Sequence, residues 1–322
     1  VAETVLFLLF CECEGLKMIS SLNQLEEERK VVYKVYSKNI RISILFYVLA
    51  VVGITVSMIL GYNYVIFGIF LSVAVFIVGI IFGAKATKAT KPFRKKFKTT
   101  LIKALLDDMY DDVIYQPEQS IPLDVILKTG LVKRPDRHKS EDLIMCEYQG
   151  VKIQSSDFVL EERHVYYDSK GHRHTSYQTY FRGRWLIFRF KREFKQALRI
   201  LEKTWLGFAV TPKGFKKIET ESIAFNKKFL LESTDQQHAL YIVTPSMIEK
   251  LQEFEKTMGG TVSMLFQGNE LHIALNSNHD TLEPKIKYPL TEEVLKSYRF
   301  ETDLMAAIIN EFGLSKDKFM NG

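Results

Sequence analysis

Two apolar runs separated by four residues constrain this chain more than any other feature. The first, ISILFYVLAVVGITVSMIL, occupies residues 42–60, and the second, VIFGIFLSVAVFIVGIIFGA, occupies residues 65–84. Neither holds an Asp, Glu, Lys, Arg or His, and each is close to the ~20 residues that carry a helix across the hydrocarbon core of a bilayer. Only Gly61-Tyr62-Asn63-Tyr64 lies between them. The two runs are therefore expected as an antiparallel transmembrane hairpin with a four-residue turn.

The flanks orient that hairpin. Lys30, Lys34, Lys38 and Arg41 precede the first span, and Lys85, Lys88, Lys91, Arg94, Lys95, Lys96 and Lys98 follow the second. The turn carries no charge. Lysine and arginine are retained on the cytoplasmic side, so both termini and everything after residue 84 are expected in the cytosol. The same block, residues 85–98, is expected to attract anionic lipid head groups at roughly 1 kcal/mol per basic residue.

The chain's net charge of +6 does not point to nucleic acid. Residues 1–98 hold 13 basic and 6 acidic side chains, a net of +7, whereas residues 99–322 hold 31 and 32, a net of −1. The basic excess belongs to the membrane flanks, and no nucleic-acid partner is expected. Cys146 is the one cysteine beyond residue 98, so no disulfide can form there, which suits a reducing compartment. Cys11 and Cys13 form a C-x-C pair that nothing nearby completes as a metal site.

Residues 1–17 read as a mis-assigned leader. They start at Val1, as a GTG start would be written, and Glu14-Gly15 can be encoded by a purine-rich ribosome-binding sequence ahead of Met18. The apolar run VLFLLF is short for a signal peptide, lacks a basic flank and has no small-residue cleavage site. Residues 18–41 read as an amphipathic helix, with Leu22, Leu25, Val32 and Tyr36 on one face, running into the first span.

Within the spans, small residues fall in register. Ser43, Ala50, Ser57 and Gly61 share a narrow arc of the first helix, with Gly53 at its border, and Gly68, Ser72, Gly79 and Gly83 share one on the second. Such faces let helices approach closely in lipid. Packing of the hairpin on itself is the expected use, and association with a second copy is the alternative. No ionisable residue lies within either span, which disfavours an ion path.

After the basic block, Phe97, Leu101, Leu105 and Met109 mark a further helix, and Leu123 to Lys128 a short one. Strands are expected over Leu143–Tyr148, Val151–Gln154, Phe158–Tyr167, Ser176–Phe181 and Arg184–Lys191, with turn chemistry at Asp168-Ser169-Lys170-Gly171. Phe225–Glu232 and Ala239–Val243 also read as strands, flanking a Ser233-Thr234-Asp235 corner. Thr244 then caps a helix that begins at Pro245 and ends at Gly259. Thr261–Phe266 and Glu270–Leu275 are expected as a hairpin around Gln267-Gly268-Asn269, and a last helix over residues 292–312 is stopped by Gly313. The fold class expected is α+β: a two-span transmembrane helical hairpin (spans 42–60 and 65–84), a polybasic segment (85–98), and a mostly antiparallel α+β cytosolic domain (99–322).

The segment Tyr180-Phe181-Arg182-Gly183-Arg184-Trp185 and the stretch FNKKFLLESTDQQHALYIVTPSMIEKLQEFEK, residues 225–256, resemble a bacterial membrane-protein family catalogued as domain of unknown function 3137. The Phe-x-Gly step, the Lys-Phe-x-x-x-Ser-Thr-Asp run and the Tyr-x-x-Thr-Pro helix start carry the resemblance, over roughly residues 85–285. It implies a bacterial cell membrane and a shared fold, and no assigned activity.

Candidate sites are few. His164, His172 and His174 lie near Asp168, but they flank a solvated turn, and no metal is expected there. Ser233, Thr234, Asp235 and His238 hold a hydroxyl, a carboxylate and an imidazole, but sequence neighbours rarely converge as a triad and the segment reads as a structural corner. His272 reads as an outward-facing strand residue. The eight basic residues from Arg182 to Lys203 read as a solvated or membrane-facing surface, and Leu186, Phe188 and Phe190 as the core face of the same strand. No phosphate-cradling loop, dinucleotide fingerprint or paired metal motif is present, and no cofactor or catalytic residue is expected. The reading that follows is a membrane-anchored module that binds a protein partner or a membrane-associated ligand. The alternative is an enzyme acting on a membrane-proximal substrate.

Overall fold

The computed structural model describes residues 21–61, 64–194, 196–205, 207–210, 212–278, 282–316 and 319 in full. The expected leader, with Cys11 and Cys13, lies outside them. The chain divides into two units, one of residues 1–104 and 283–297, the other of residues 105–282 and 298–322. The boundary thus falls a few residues beyond the expected 98/99 junction, and residues 283–297 group with the helices.

The helical unit is built on α1 (Ala2–Leu60) and α2 (Tyr62–Phe97). Both are long and apolar enough to cross a membrane. Gly61 alone separates them, with φ 103°, a conformation that glycine adopts without a Cβ penalty. The turn is therefore tighter than the expected four residues. A π-helical turn (Lys98–Ile102) and α3 (Lys103–Met109) continue the helical path.

At the charged end of this unit, residues 283–290 are tied to both helices. Arg29 Nη1 donates to the Ile286 carbonyl at 2.7 Å, and the Leu290 N–H donates to Glu26 at 2.8 Å. Glu283 pairs with Arg94 at 2.9 Å and with Lys98 at 2.7 Å. The Arg29 guanidinium, bonded twice to Glu26, holds that carboxyl below its ordinary range.

The second unit carries an antiparallel sheet in the order β1 (Asp111–Gln116), β2 (Arg137–Tyr148), β3 (Val151–Tyr167), β4 (Arg173–Glu202), β6 (Phe229–Ser233), β5 (Lys216–Ile218), with β7 (Thr261–Asn276) also on β4. The 30-residue β4 is the spine. Its first part pairs with β3, its last part with β6, and β7 runs along it from Arg184 to Leu201. Short α4 (Leu123–Lys128), α5 (Ile223–Lys228) and α6 (Gln236–Ile242) accompany the longer α7 (Pro245–Met258) and α8 (Glu292–Phe312). One apolar core gathers Phe158, Phe181, Trp185, Ile187, Trp205 and Leu265.

The sequence reading is corrected at several elements. The expected hairpin around Gly268 is one strand, β7, because Gly268 at φ 58° lets it continue through a bulge alongside irregularities in β4. Phe225–Lys228 is helical, capped by Ser222, and Ala239–Ile242 belongs to α6, capped by Asp235, whose side chain accepts from the His238 N–H. Local capping outweighed strand propensity at both places. The two strands expected on either side of Gly183 are one, and β1 and β5 were not anticipated. Asp168-Ser169-Lys170-Gly171 does turn, and α7 and α8 begin and end at the residues that mark them, with Gly259 at φ 61° and Gly313 at φ 63°.

Candidate functional site

The small residues of the two long helices meet face to face. Ser43, Ala50, Ser57 and Ser72 are buried. Ser43 Oγ donates to the Gly79 carbonyl at 2.7 Å. A Cβ on Gly68 would fall 2.2 Å from the Ser57 Cβ, and one on Gly83 3.3 Å from Ser43 Oγ. Gly61 stands apart from this seam, since a Cβ there would touch nothing and its place is the turn.

The basic block is heterogeneous. Lys98 is buried against Glu283, Arg94 shares that carboxylate, and Lys96 pairs with Glu28. Lys98 is thereby corrected from lipid contact to internal ion pair. Lys85, Lys88, Lys91 and Lys95 remain exposed, with Lys85 over the Phe82 ring.

Two other expectations change. His272 is buried, not outward-facing: Trp185 Nε1 donates to its Nδ1 at 3.3 Å, so its Nε2 carries the proton toward Glu270 at 3.0 Å. That contact and Arg189 hold the Glu270 carboxyl down at about 2. The basic run is only partly a solvated surface: Arg182, Lys191 and Lys203 are exposed, whereas Arg184 and Arg199 are buried. Buried Arg199 is consumed by Glu232 and the Val210 carbonyl. Asp168 Oδ2 lies 3.1 Å from a ring nitrogen of both His172 and His174, whereas His164 is 4.0 Å from Glu162. Among the described residues no group of three or more His, Cys, Asp or Glu is placed to hold a metal ion. Ser233 Oγ donates to the Ala197 carbonyl at 2.7 Å and accepts from the Asp235 N–H, a corner.

The site that the sequence did not show lies on one face of β2, β3 and β4. Antiparallel register puts directly opposed residues on the same face. Lys139, Val159 and Arg182 form one cross-strand row, and Glu141, Asp157 and Arg184 form the next. The rows are two residues apart along each strand, roughly 7 Å. Over them opens a cavity of about 200 Å³ lined by Lys139, Ser140, Glu141, Asp157, Phe158, Val159, Arg182 and Gly183.

Its charges are unequally satisfied. Arg184 is buried, donates from Nε to Asp157 Oδ1 at 3.0 Å, and donates from Nη1 to the Glu301 carbonyl at 3.0 Å. Burial opposes its charge, but Asp157 and Glu301 outweigh that, so the guanidinium is held protonated. Behind it Tyr115 donates to Asp142 at 2.5 Å, where burial and that carboxylate push the phenol up. Asp157 Oδ2 and Ser155 Oγ, by contrast, are buried with no hydrogen-bond partner among the described residues. Lys139 and Arg182 are exposed at the rim, with no ion-pair partner among the described residues. The lining carries Lys139, Ser140, Glu141, Asp157 and Arg182, side chains that can pair with a charged or polar ligand.

Gly183 lines the cavity from between the two rows, and a Cβ there would fall 2.0 Å from the Leu275 carbonyl oxygen. The Phe-x-Gly step of the sequence thus borders the cavity. Residues 179–314 match the model of a family described as protein of unknown function (DUF3137). The resemblance is borne out over that stretch. The match starts later than the expected residue 85 and runs past 285 through α8. No curated protein matches the chain. Among solved structures, the mycobacterial trehalose monomycolate transport factor A, TtfA, is similar with a TM-score of 0.34 at 10% identity, over 66% of this chain and 96% of that one. At that score the likeness decides neither fold nor function.

Proposed function

We propose that this chain is a two-span membrane protein whose sheet unit lies on the cytosolic side and binds a membrane-associated ligand without chemistry of its own. The observation that carries the reading is the outward apolar surface of α1 and α2. Ile59, Phe67 and Phe70 are 83%, 70% and 73% exposed, and the surface extends from Ile44 to Ile81 on the two helices. Apolar area of that extent calls for a lipid or protein cover, and the uncharged helices with cations at one end favour lipid. Lys85, Lys88, Lys91 and Lys95 then contact anionic head groups. Lys139 and Arg182, exposed over the β2–β4 face with no ion-pair partner among the described residues, support a ligand as the bound species.

Topology is tested with single cysteines in a chain whose Cys11, Cys13 and Cys146 are replaced by alanine. Tyr64→Cys should react with an impermeant maleimide on intact cells, and Lys287→Cys only after permeabilisation. The reverse pattern, or release of the chain from membranes by alkaline carbonate, would overturn the reading.

A further inference from the structure

We infer that the free end of the β3–β4 hairpin is a lipid-binding finger that seats its tyrosines in the surface of an anionic bilayer. The inference rests on the membrane reading above for which surface is nearest, and it adds a contact made by the sheet unit.

The ribbon leaves the sheet where its neighbours stop. β2 pairs with β3 only as far as Glu161, next to a register shift between Leu160 and Glu161, and β7 joins β4 only from Arg184. Residues 162–167 and 173–178 therefore pair with each other alone, over roughly 20 Å of strand. A two-stranded ribbon with no covered face is marginal in water. Residues 163–167 and 169–176 are all exposed, Tyr166 at 55% and Tyr167 at 68%.

Register sorts the side chains of this ribbon. Directly opposed residues share a face, so Arg163, Val165 and Tyr167 lie beside Tyr177, Thr175 and Arg173 on one side. On the other, Tyr166 stacks on His174 at 5.1 Å. Residues 163–174 hold Arg163, Lys170 and Arg173 against one acid, Asp168. Asp168 is taken up within the turn: it accepts from the Lys170 and His172 N–H groups and lies 3.1 Å from ring nitrogens of His172 and His174. The three cations have no ion-pair partner among the described residues.

This combination fits a lipid surface. A tyrosine sets its ring against the acyl boundary and its hydroxyl among the head groups. Val165 adds apolar area beside it, and the flanking arginines meet lipid phosphates. An acidic protein segment would match the charge but not the apolar stripe. Nucleic acid could stack on the rings, but residues 99–322 carry a net of −1, which disfavours a polyanion. A chain anchored by α1 and α2 has a bilayer as its standing neighbour, so a weak surface contact is made intramolecular.

The test uses the full chain with Cys11, Cys13 and Cys146 replaced by alanine, in nanodiscs of phosphatidylcholine with or without phosphatidylglycerol. Thr175→Cys carries an environment-sensitive NBD dye on the ribbon. With phosphatidylglycerol the dye should shift to the blue and be quenched by nitroxide-labelled lipid. In phosphatidylcholine alone, or at high salt, neither should occur. Arg163→Gln and Arg173→Gln, at exposed positions, should each weaken the lipid contact about fivefold with the thermal midpoint unchanged. The lipid and salt dependence are read with both arginines in place, so they decide the matter even if a variant loses stability. A blue shift without nitroxide quenching would mean that protein covers the ribbon. That result, no shift, or quenching that is equal with and without phosphatidylglycerol overturns the inference. If the topology experiment fails, phosphatidylglycerol vesicles added to the released chain still read the finger by itself, so the two failures are distinguishable.

Discussion

Two glutamates on neighbouring strands show how little the residue type says about its chemistry. Glu270, on β7, is bonded to His272 and Arg189, so its carboxyl is held at about 2; that contribution to stability is present above the ordinary value of 4.5 and is lost as pH falls through about 2. Glu202, at the end of β4, is raised by burial and by the nearby Glu255 carboxylate, despite accepting from the Val262 N–H and Thr204. Its sign is opposite: its favourable contribution is full below pH 4.5 and lost as pH rises through its raised value. Glu202→Gln keeps an acceptor and removes the charge. It should raise the unfolding midpoint at pH 7 and leave it unchanged at pH 4, as read by thermal unfolding at both. Neither environment was legible in the sequence, where both glutamates read simply as polar strand residues. The same holds for Arg184 and Asp157, whose partnership exists only because strand register opposes them.

At the scale of elements, legibility followed how local the deciding physics was. The α7 boundaries were readable because Thr244, Pro245 and Gly259 act on their own backbone, with Thr244 accepting from the Met247 N–H. The bulged β7 reads as a hairpin from sequence because Gln267-Gly268-Asn269 is locally turn-like, and only its pairing to β4 keeps it extended. The long helices gave their pairing away through glycine and serine spacing. Gly68 is the sharpest test, since an added Cβ meets Ser57 at 2.2 Å. Gly68→Val should separate α1 from α2 and cost about 2 kcal/mol or more. A fall in thermal midpoint in detergent checks this, with exposed Phe70→Leu as the unaffected control.

At the scale of the whole molecule, residues 283–297 return to the base of the helices after the sheet has been completed. Glu283 is the decisive contact, since Lys98 has a side chain 4% exposed and pairs with it. Glu283→Gln takes the Glu283 charge away from that buried ammonium and should cost about 3 kcal/mol. Hydrogen exchange should rise in residues 283–290 and around Glu26 and Arg29, while β4 stays protected; uniform acceleration would show that the contact is not local. The sequence by itself determined the two apolar helices, the small residues spaced along each and the caps of α7 and α8, because each is set by neighbours within a few residues. Only the tertiary structure decided that β4 is one spine, that Lys98 turns inward, and that Lys139, Asp157 and Arg182 share a cavity, because strand pairing over long separations selects which side chains face one another.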